Sequence, residues 1–318
     1  VLTITGTSYY VSPTGSDANP GTSPNAPWRT VKRVNEASLQ AGDAVLFEGG
    51  AVFADTNLTG NAGGESGKPI IYASYGTGKA NIKWGLWDAG HDFLTFDDLE
   101  VNSGNLNESD GFGGRGNDVT VEDSTMLNVE SGIFVVAGNR WEVLDDVIEN
   151  TGNSGMLTQT DAEGGSTPPG EEWVIDGNVI NRTGLVNLGY GEHGIYLKCR
   201  NSEVADNTIT NFKDDGISQR YGGGTIVGNT ISGGGIGIAF FPYDSQQHTT
   251  HWKNNTITAT DTGMYAPATD SGSPSPGGTT LENFMIEGNT IGPLTGGSQD
   301  WINVKSEGTV TTKENTLL

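Results

Sequence analysis

Two hydrophobic patterns divide the chain. Over residues 28–39, Trp28, Val31, Val34 and Leu39 fall on approximately one face of a 3.6-residue period, which predicts a single short helix. From about residue 43 the apolar runs shorten to strand length, as in Ala44-Val45-Leu46-Phe47, Ile70-Ile71-Tyr72-Ala73 and Phe93-Leu94-Thr95-Phe96. A repeat then emerges, a glycine followed by a large apolar residue: Gly111-Phe112, Gly132-Ile133, Gly155-Met156, Gly194-Ile195, Gly216-Ile217, Gly237-Ile238 and Gly263-Met264. The glycines step by 21, 23, 39, 22, 21 and 26 residues. A period near 22 with strand alternation predicts stacked coils of parallel strands, and parallel crossovers are almost always right-handed. Leucine-rich repeats have a similar period, but their leucine-dense pattern is missing. The expected fold is all-β, a single-domain right-handed parallel β-helix. Residues 1–42 would supply an N-terminal strand and a helix capping the open end. Residues 43–318 would form the coils, with loop insertions near 160–171, 242–251 and 268–279.

A second marker precedes or follows each glycine: Asn178, Asn207, Asn229, Asn255, Asn289 and Asn315, each followed by Thr or Val and then Ile or Leu, with Asp146 and Ser124 as earlier equivalents. Stacked asparagines bond to one another and tolerate left-handed backbone, so this column reads as structural. Alternation sends the residue after each repeat glycine inward, and the positions two and four after it outward. The four-after column runs Arg115, Val136, Gln159, Lys198, Arg220, Phe241 and Pro267; the two-after column includes Tyr196, Ser218 and Tyr265. Trp252 shares the slot of inward Val204 and Ile226 in neighbouring repeats. Adjacent rungs lie about 4.8 Å apart, which makes Lys198 and Arg220 neighbours on the outer surface.

Composition supports the pattern. The 49 glycines and 17% charged residues suit many turns and short strands. A formal charge of −23 with 16 Lys and Arg argues against nucleic acid. Screening beyond about 8–10 Å still lets a local basic group act against that background. Cys199 is the only cysteine, which leaves no intrachain disulfide and reads as an inert buried thiol. No run of 18 apolar residues occurs, so no membrane span is expected. The start Val1-Leu2-Thr3-Ile4 fits a mature secreted or extracellular protein, or a periplasmic one, whose export signal is absent.

Three groups of residues carry chemistry. Removing a proton alpha to a uronate carboxylate needs a base, a donor to the departing oxygen and positive charge near the carboxylate. His193, Tyr196, Lys198 and Arg220 are the catalytic candidates, with Tyr196, His193 or Lys198 as the base. Arg115, Gln159, Glu192, Asp215 and Tyr243 are the substrate-binding candidates. Glu192, Asp214 and Asp215, with Asp110, instead form the kind of acidic set that hydrolyses glycosides or binds Ca²⁺. Tyr190, Tyr196, Tyr221, Tyr243 and Trp252 supply aromatic surface suited to sugar faces. The insertions near 160–171 and 242–251 bracket the basic residues and would wall a groove above them.

The stretch Tyr10-Val11-Ser12-Pro13-Thr14-Gly15-Ser16-Asp17, continued by Pro27-Trp28-Arg29-Thr30, resembles the start of many bacterial β-helix carbohydrate-active proteins of the pectate-lyase-like type. The run from Lys198 to Arg220, with Asn207-Thr208 between, resembles the Lys and Arg coils of the chondroitinase B and alginate lyase family. That resemblance implies Lys198 as base and Arg220 as acid, beside a Ca²⁺ that neutralises the uronate. Where that family carries acidic calcium ligands, this chain has Gly191-Glu192-His193. The His and Tyr pair also resembles mannuronan epimerases. The expectation is a polysaccharide lyase acting on a uronate-containing chain by β-elimination. The alternatives are a glycoside hydrolase using Glu192, Asp214 and Asp215, a C5-epimerase, and a glycan-binding β-helix without catalysis.

Overall fold

The computed structural model describes residues 3–159, 169–186, 191–242, 249–266, 283–296, 301–304 and 309–318. Strand after strand pairs in parallel with the equivalent strand one coil later. Among the described residues, 12 strands stack into one sheet, from Ser8–Val11 and Ala44–Glu48 to Val310–Lys313. A second sheet of 19 strands carries two further ladders. The chain is a parallel β-helix.

Each ladder has an inward column. One runs Val45, Tyr72, Phe96, Val121, Val143, Ile175, Val204, Ile226, Trp252 and Ile286 in direct register. The second runs Leu58, Leu86, Phe112, Ile133, Met156, Ile195, Ile217, Ile238, Met264 and Ile302. It contains every residue that follows a repeat glycine, as alternation requires. The third runs Val101, Met126, Ile148, Ile180, Ile209, Ile231, Ile257 and Ile291. These columns meet in one hydrophobic core extending from Val11 to Ile291.

The repeat glycines stand where the second and third columns converge. A Cβ on Gly216 would lie 2.5 Å from Ile231 Cγ2, and one on Gly237 would lie 2.4 Å from Ile257 Cγ2. A side chain there would overlap the core, which explains why glycine recurs once per coil.

The asparagine column forms a continuous ladder. Asn207 donates to Asn229 Oδ1 from both its backbone N (3.0 Å) and Nδ2 (2.9 Å), and Nδ2 also donates to Ile175 O (2.9 Å). The same set links Asn229 to Asn255, Asn255 to Asn289 and Asn289 to Asn315. Upstream, Asp146 N donates to Asn178 Oδ1, and Ser124 N to Asp146 Oδ1. The left-handed backbone falls one residue before each rung, at Asp123, Asp145, Gly177, Asp206, Gly228, Asn254, Gly288 and, as the exception in residue type, Glu314, rather than on the ladder asparagines. Asp, Asn and Gly tolerate that conformation, and this sets the dipeptides of the motif.

The N-terminal helix is shorter than the periodicity predicted, Val31–Asn35. Asp17 Oδ1 accepts from the backbone N of Arg29 and of Thr30, which fixes those residues outside the helix. Thr30 then caps it by accepting from Arg33 N. Val31 and Val34 pack into the first end of the core. Trp28 is buried too, but it stacks on Tyr9 with ring centroids 4.7 Å apart.

Candidate active site

Strand Ile195–Leu197 lies between Met156–Gln159 and Asp215–Gln219 in the second ladder, with Tyr196 opposite Ser218. The main chain leaves the ladder at Lys198. Its N–H donates to Thr158 Oγ1 (2.5 Å), and that hydroxyl donates to Tyr196 O (3.3 Å). One coil on, Arg220 N donates to Leu197 O, and its Nη1 donates to Phe241 O (3.3 Å).

Tyr196 is the centre of the cluster. Lys198 Nζ lies 4.3 Å from its ring centroid, the Arg220 guanidinium 4.9 Å, and the His193 ring 4.6 Å in an edge-on arrangement. Arg220 also lies 4.9 Å from the Phe241 ring, whose other neighbour is Tyr265 at 5.7 Å. Cations over tyrosine faces are attracted by the ring quadrupole. The four catalytic candidates of the sequence therefore come together. They are not a solvated stripe: His193 is 4% exposed, Tyr196 and Lys198 6%, and Ser218 fully buried. Alternation fixes the side of the strand a residue occupies, whereas its neighbours decide how much water reaches it. His193 Nε2 and Ser218 Oγ are both buried without a hydrogen-bond partner among the described residues.

The acidic candidates do not form one group. Glu192 is 1% exposed and its carboxylate is ion-paired with Lys213. Asp214 Oδ2 accepts from Glu192 N (2.7 Å), and Asp215 faces His193. No set of three His, Cys, Asp or Glu side chains suited to a metal ion occurs among the described residues. Glu192, Asp214 and Asp215 thus face three different neighbours, Lys213, the Glu192 main chain and His193. Asp110 accepts from Ser131 N and is pushed up by burial.

Arg115 is exposed and stands three coils before Lys198, about 14 Å away at ordinary rung spacing. Gln159 is half-buried on the coil immediately before Lys198. Tyr243, Tyr190, the central parts of the insertions near 160–171 and 242–251 and all of the insertion near 268–279 lie outside the described residues. Tyr221 is largely buried and Trp252 fully so, which places Trp252 in the core, as its slot predicted. Cys199 is buried and free, its thiol pushed up to about 12 by burial.

Thr158 and Gln219 were not singled out by the sequence. Both sit in an inward column with Val135, Leu197 and Phe240. Gln219 donates to Tyr221 O and Thr250 Oγ1 and accepts from Trp252 Nε1. A polar residue in an apolar column was the available signal.

A family model described as right handed beta helix region matches residues 43–231. The chain belongs to the right-handed β-helix family. A second model, for a family described as a protein of unknown function (DUF1565), matches residues 169–298. A lacto-N-biosidase of Bifidobacterium longum subsp. longum is 45% identical over 78 residues, covering 23% of this β-helix chain and 5% of that protein. Among solved structures, a rhamnogalacturonan lyase superposes with a TM-score of 0.59 at 17% identity, covering 98% of this chain and 87% of the other. An alginate lyase from Paenibacillus sp. str. FPU-7 superposes with a TM-score of 0.56 at 15% identity, covering 91% and 93%. At such identity these structures speak for the β-helix fold alone.

Proposed function

We propose that this β-helix protein is a carbohydrate-active enzyme, and specifically a lyase that cleaves a uronate-containing polysaccharide by β-elimination. The observation that supports the finer reading is the placement of Lys198 and Arg220 against the ring of Tyr196, in a chain whose overall charge is −23. Two cations held together on an acidic protein suit a carboxylate-bearing sugar. In this reading Arg220 pairs with the uronate carboxylate, and Tyr196, after giving its own proton to solvent, takes the proton alpha to it. Lys198, over the ring face, gives a proton to the departing glycosidic oxygen. The carbon–oxygen bond breaks as the carbon–carbon double bond forms. This exchanges the base role that the family resemblance gave Lys198 for an acid role.

Glycoside hydrolysis is the second reading, favoured by the local identity to a lacto-N-biosidase. The test is to incubate the protein with uronate and neutral polysaccharides while following ultraviolet absorbance of unsaturated ends beside reducing sugar. Elimination generates both signals together. Reducing sugar without unsaturation would replace the lyase reading with hydrolysis, and binding without either signal would leave a glycan-binding protein.

A further inference from the structure

His193 lies just before the corner glycine of its coil, and the next coil brings Asp215 against its ring. The backbone N of Asp215 donates to His193 Nδ1 at 3.1 Å. The carboxylate of the same residue places Oδ2 3.2 Å from that nitrogen. One residue thus offers a single ring nitrogen both a donor and an acceptor.

The two contacts operate in different protonation states. A nitrogen that accepts from an N–H carries no hydrogen, so the neutral ring bears its hydrogen on Nε2. When the ring gains a proton at Nδ1, that N–H has the Asp215 carboxylate beside it. Nε2 carries a hydrogen in both states. It is also buried without a partner among the described residues, and a buried donor left unmade is unfavourable until a ligand oxygen meets it. Gly191 keeps this side of the ring clear, since a Cβ there would lie 2.9 Å from Nε2. Among the described residues no group bonds to Nε2. Ser154 Oγ accepts from the backbone N of His193 (3.1 Å), and Lys198 and Arg220 lie against the Tyr196 ring.

We propose that Asp215 is a positioning residue that fixes His193 as the Nε2–H tautomer, making His193 a hydrogen-bond donor to a sugar oxygen and not the base. Which oxygen it meets rests on the lyase reading: the carboxylate oxygen that gathers charge as the alpha proton leaves. The tautomer does not rest on that reading.

The chain has four histidines, few enough for long-range ¹H–¹⁵N correlation spectra of the intact protein to be assigned with His193→Gln as the reference. The neutral His193 ring is expected to carry hydrogen on Nε2, and a neutral ring with hydrogen on Nδ1 overturns the proposal. A pair of variants tests the donor. In His193→Asn the amide oxygen can stand in for Nδ1 and nothing replaces Nε2. In His193→Gln an amide N–H reaches towards the Nε2 position, while the acceptor for Asp215 N is lost. Turnover is expected to fall about a hundredfold or more in His193→Asn and to stay within about tenfold in His193→Gln. Thermal stability is expected to run in the opposite order. Equal loss of turnover in both variants, each with a native circular dichroism spectrum, overturns the donor role. Should the wild type release no unsaturated ends, the lyase reading fails, and the tautomer measurement still decides the part played by Asp215.

Discussion

The asparagine ladder and the Tyr196 cluster are built by the same device, equivalent side chains stacked coil on coil, and they treat polar atoms oppositely. In the ladder, Asn207 Oδ1 accepts twice and Nδ2 donates twice. In the cluster, His193 Nε2 and Ser218 Oγ are buried without partners among the described residues. Saturated polar stacks stabilise and specify a fold, whereas unsatisfied ones impose a cost that a bound ligand can relieve. The contrast teaches that stacking alone is neutral with respect to function; unmet hydrogen bonds occur elsewhere too, at Asp146 Oδ2 and Thr260 Oγ1, and it is their coincidence with Tyr196, Lys198 and Arg220 that marks the face with chemistry.

Five changes probe that contrast. On the cluster side, Lys198→Ala and Arg220→Ala are each expected to lower elimination about a thousandfold or more with the circular dichroism spectrum unchanged. Normal rates in both variants would remove the cluster from the mechanism. On the ladder side, Asn229→Ala strips acceptors from Asn207 and leaves Val204 O and Asn255 Oδ1 without the Asn229 Nδ2 donor. Several buried hydrogen bonds at about 1 kcal/mol or more each predict a loss of roughly 3–5 kcal/mol, read by urea denaturation. Gly216→Ala puts a methyl against Ile231 and the Gly237 carbonyl, and overpacking of this kind costs about 1–3 kcal/mol, visible as a lowered melting temperature.

The smallest effect has the opposite sign. Asp146 occupies an asparagine rung, where its Oδ2 stands in the place of an amide nitrogen and has no partner among the described residues. Burial pushes its carboxyl well above the usual carboxylate range, against the lowering effect of its bond from Ser124 N. A group raised in the folded state contributes stability that is complete below the unfolded value and is lost as pH rises through the folded one. Asp146→Asn is therefore expected to stabilise by about 1 kcal/mol or more at pH 7, with the gain closing below about pH 4. Denaturation midpoints at the two pH values check it, and a variant less stable than wild type at pH 7 would sink the idea.

The inward columns were legible because each coil presents one apolar residue after its glycine, and the period locks their register. The ladder was legible down to Asp146 and Ser124, since their spacing matched the asparagines. The gathering of His193, Tyr196, Lys198 and Arg220 followed from the same alternation. The burial of His193, Tyr196 and Lys198 did not, because it depends on side chains packed across coils. The partners of the acids were hidden for a related reason. Glu192 and Lys213 are 21 residues apart, and nothing in either local pattern says that they form an ion pair rather than part of a carboxylate pair. The helix start at Val31 was set by Asp17, a residue outside the helical pattern altogether.

Because each rung of the ladder receives from the coil before it and gives to the coil after it, no rung depends on how many others exist. The molecule is measured in whole coils. A complete coil inserted or removed away from residues 154–241 would meet matching amides on both sides and leave His193, Tyr196, Lys198 and Arg220 in register, whereas a fraction of a coil would misalign every column beyond it. Length in this chain is thus free to vary in steps of about 22 residues, while the face with chemistry is confined to neighbouring coils whose order cannot be interrupted.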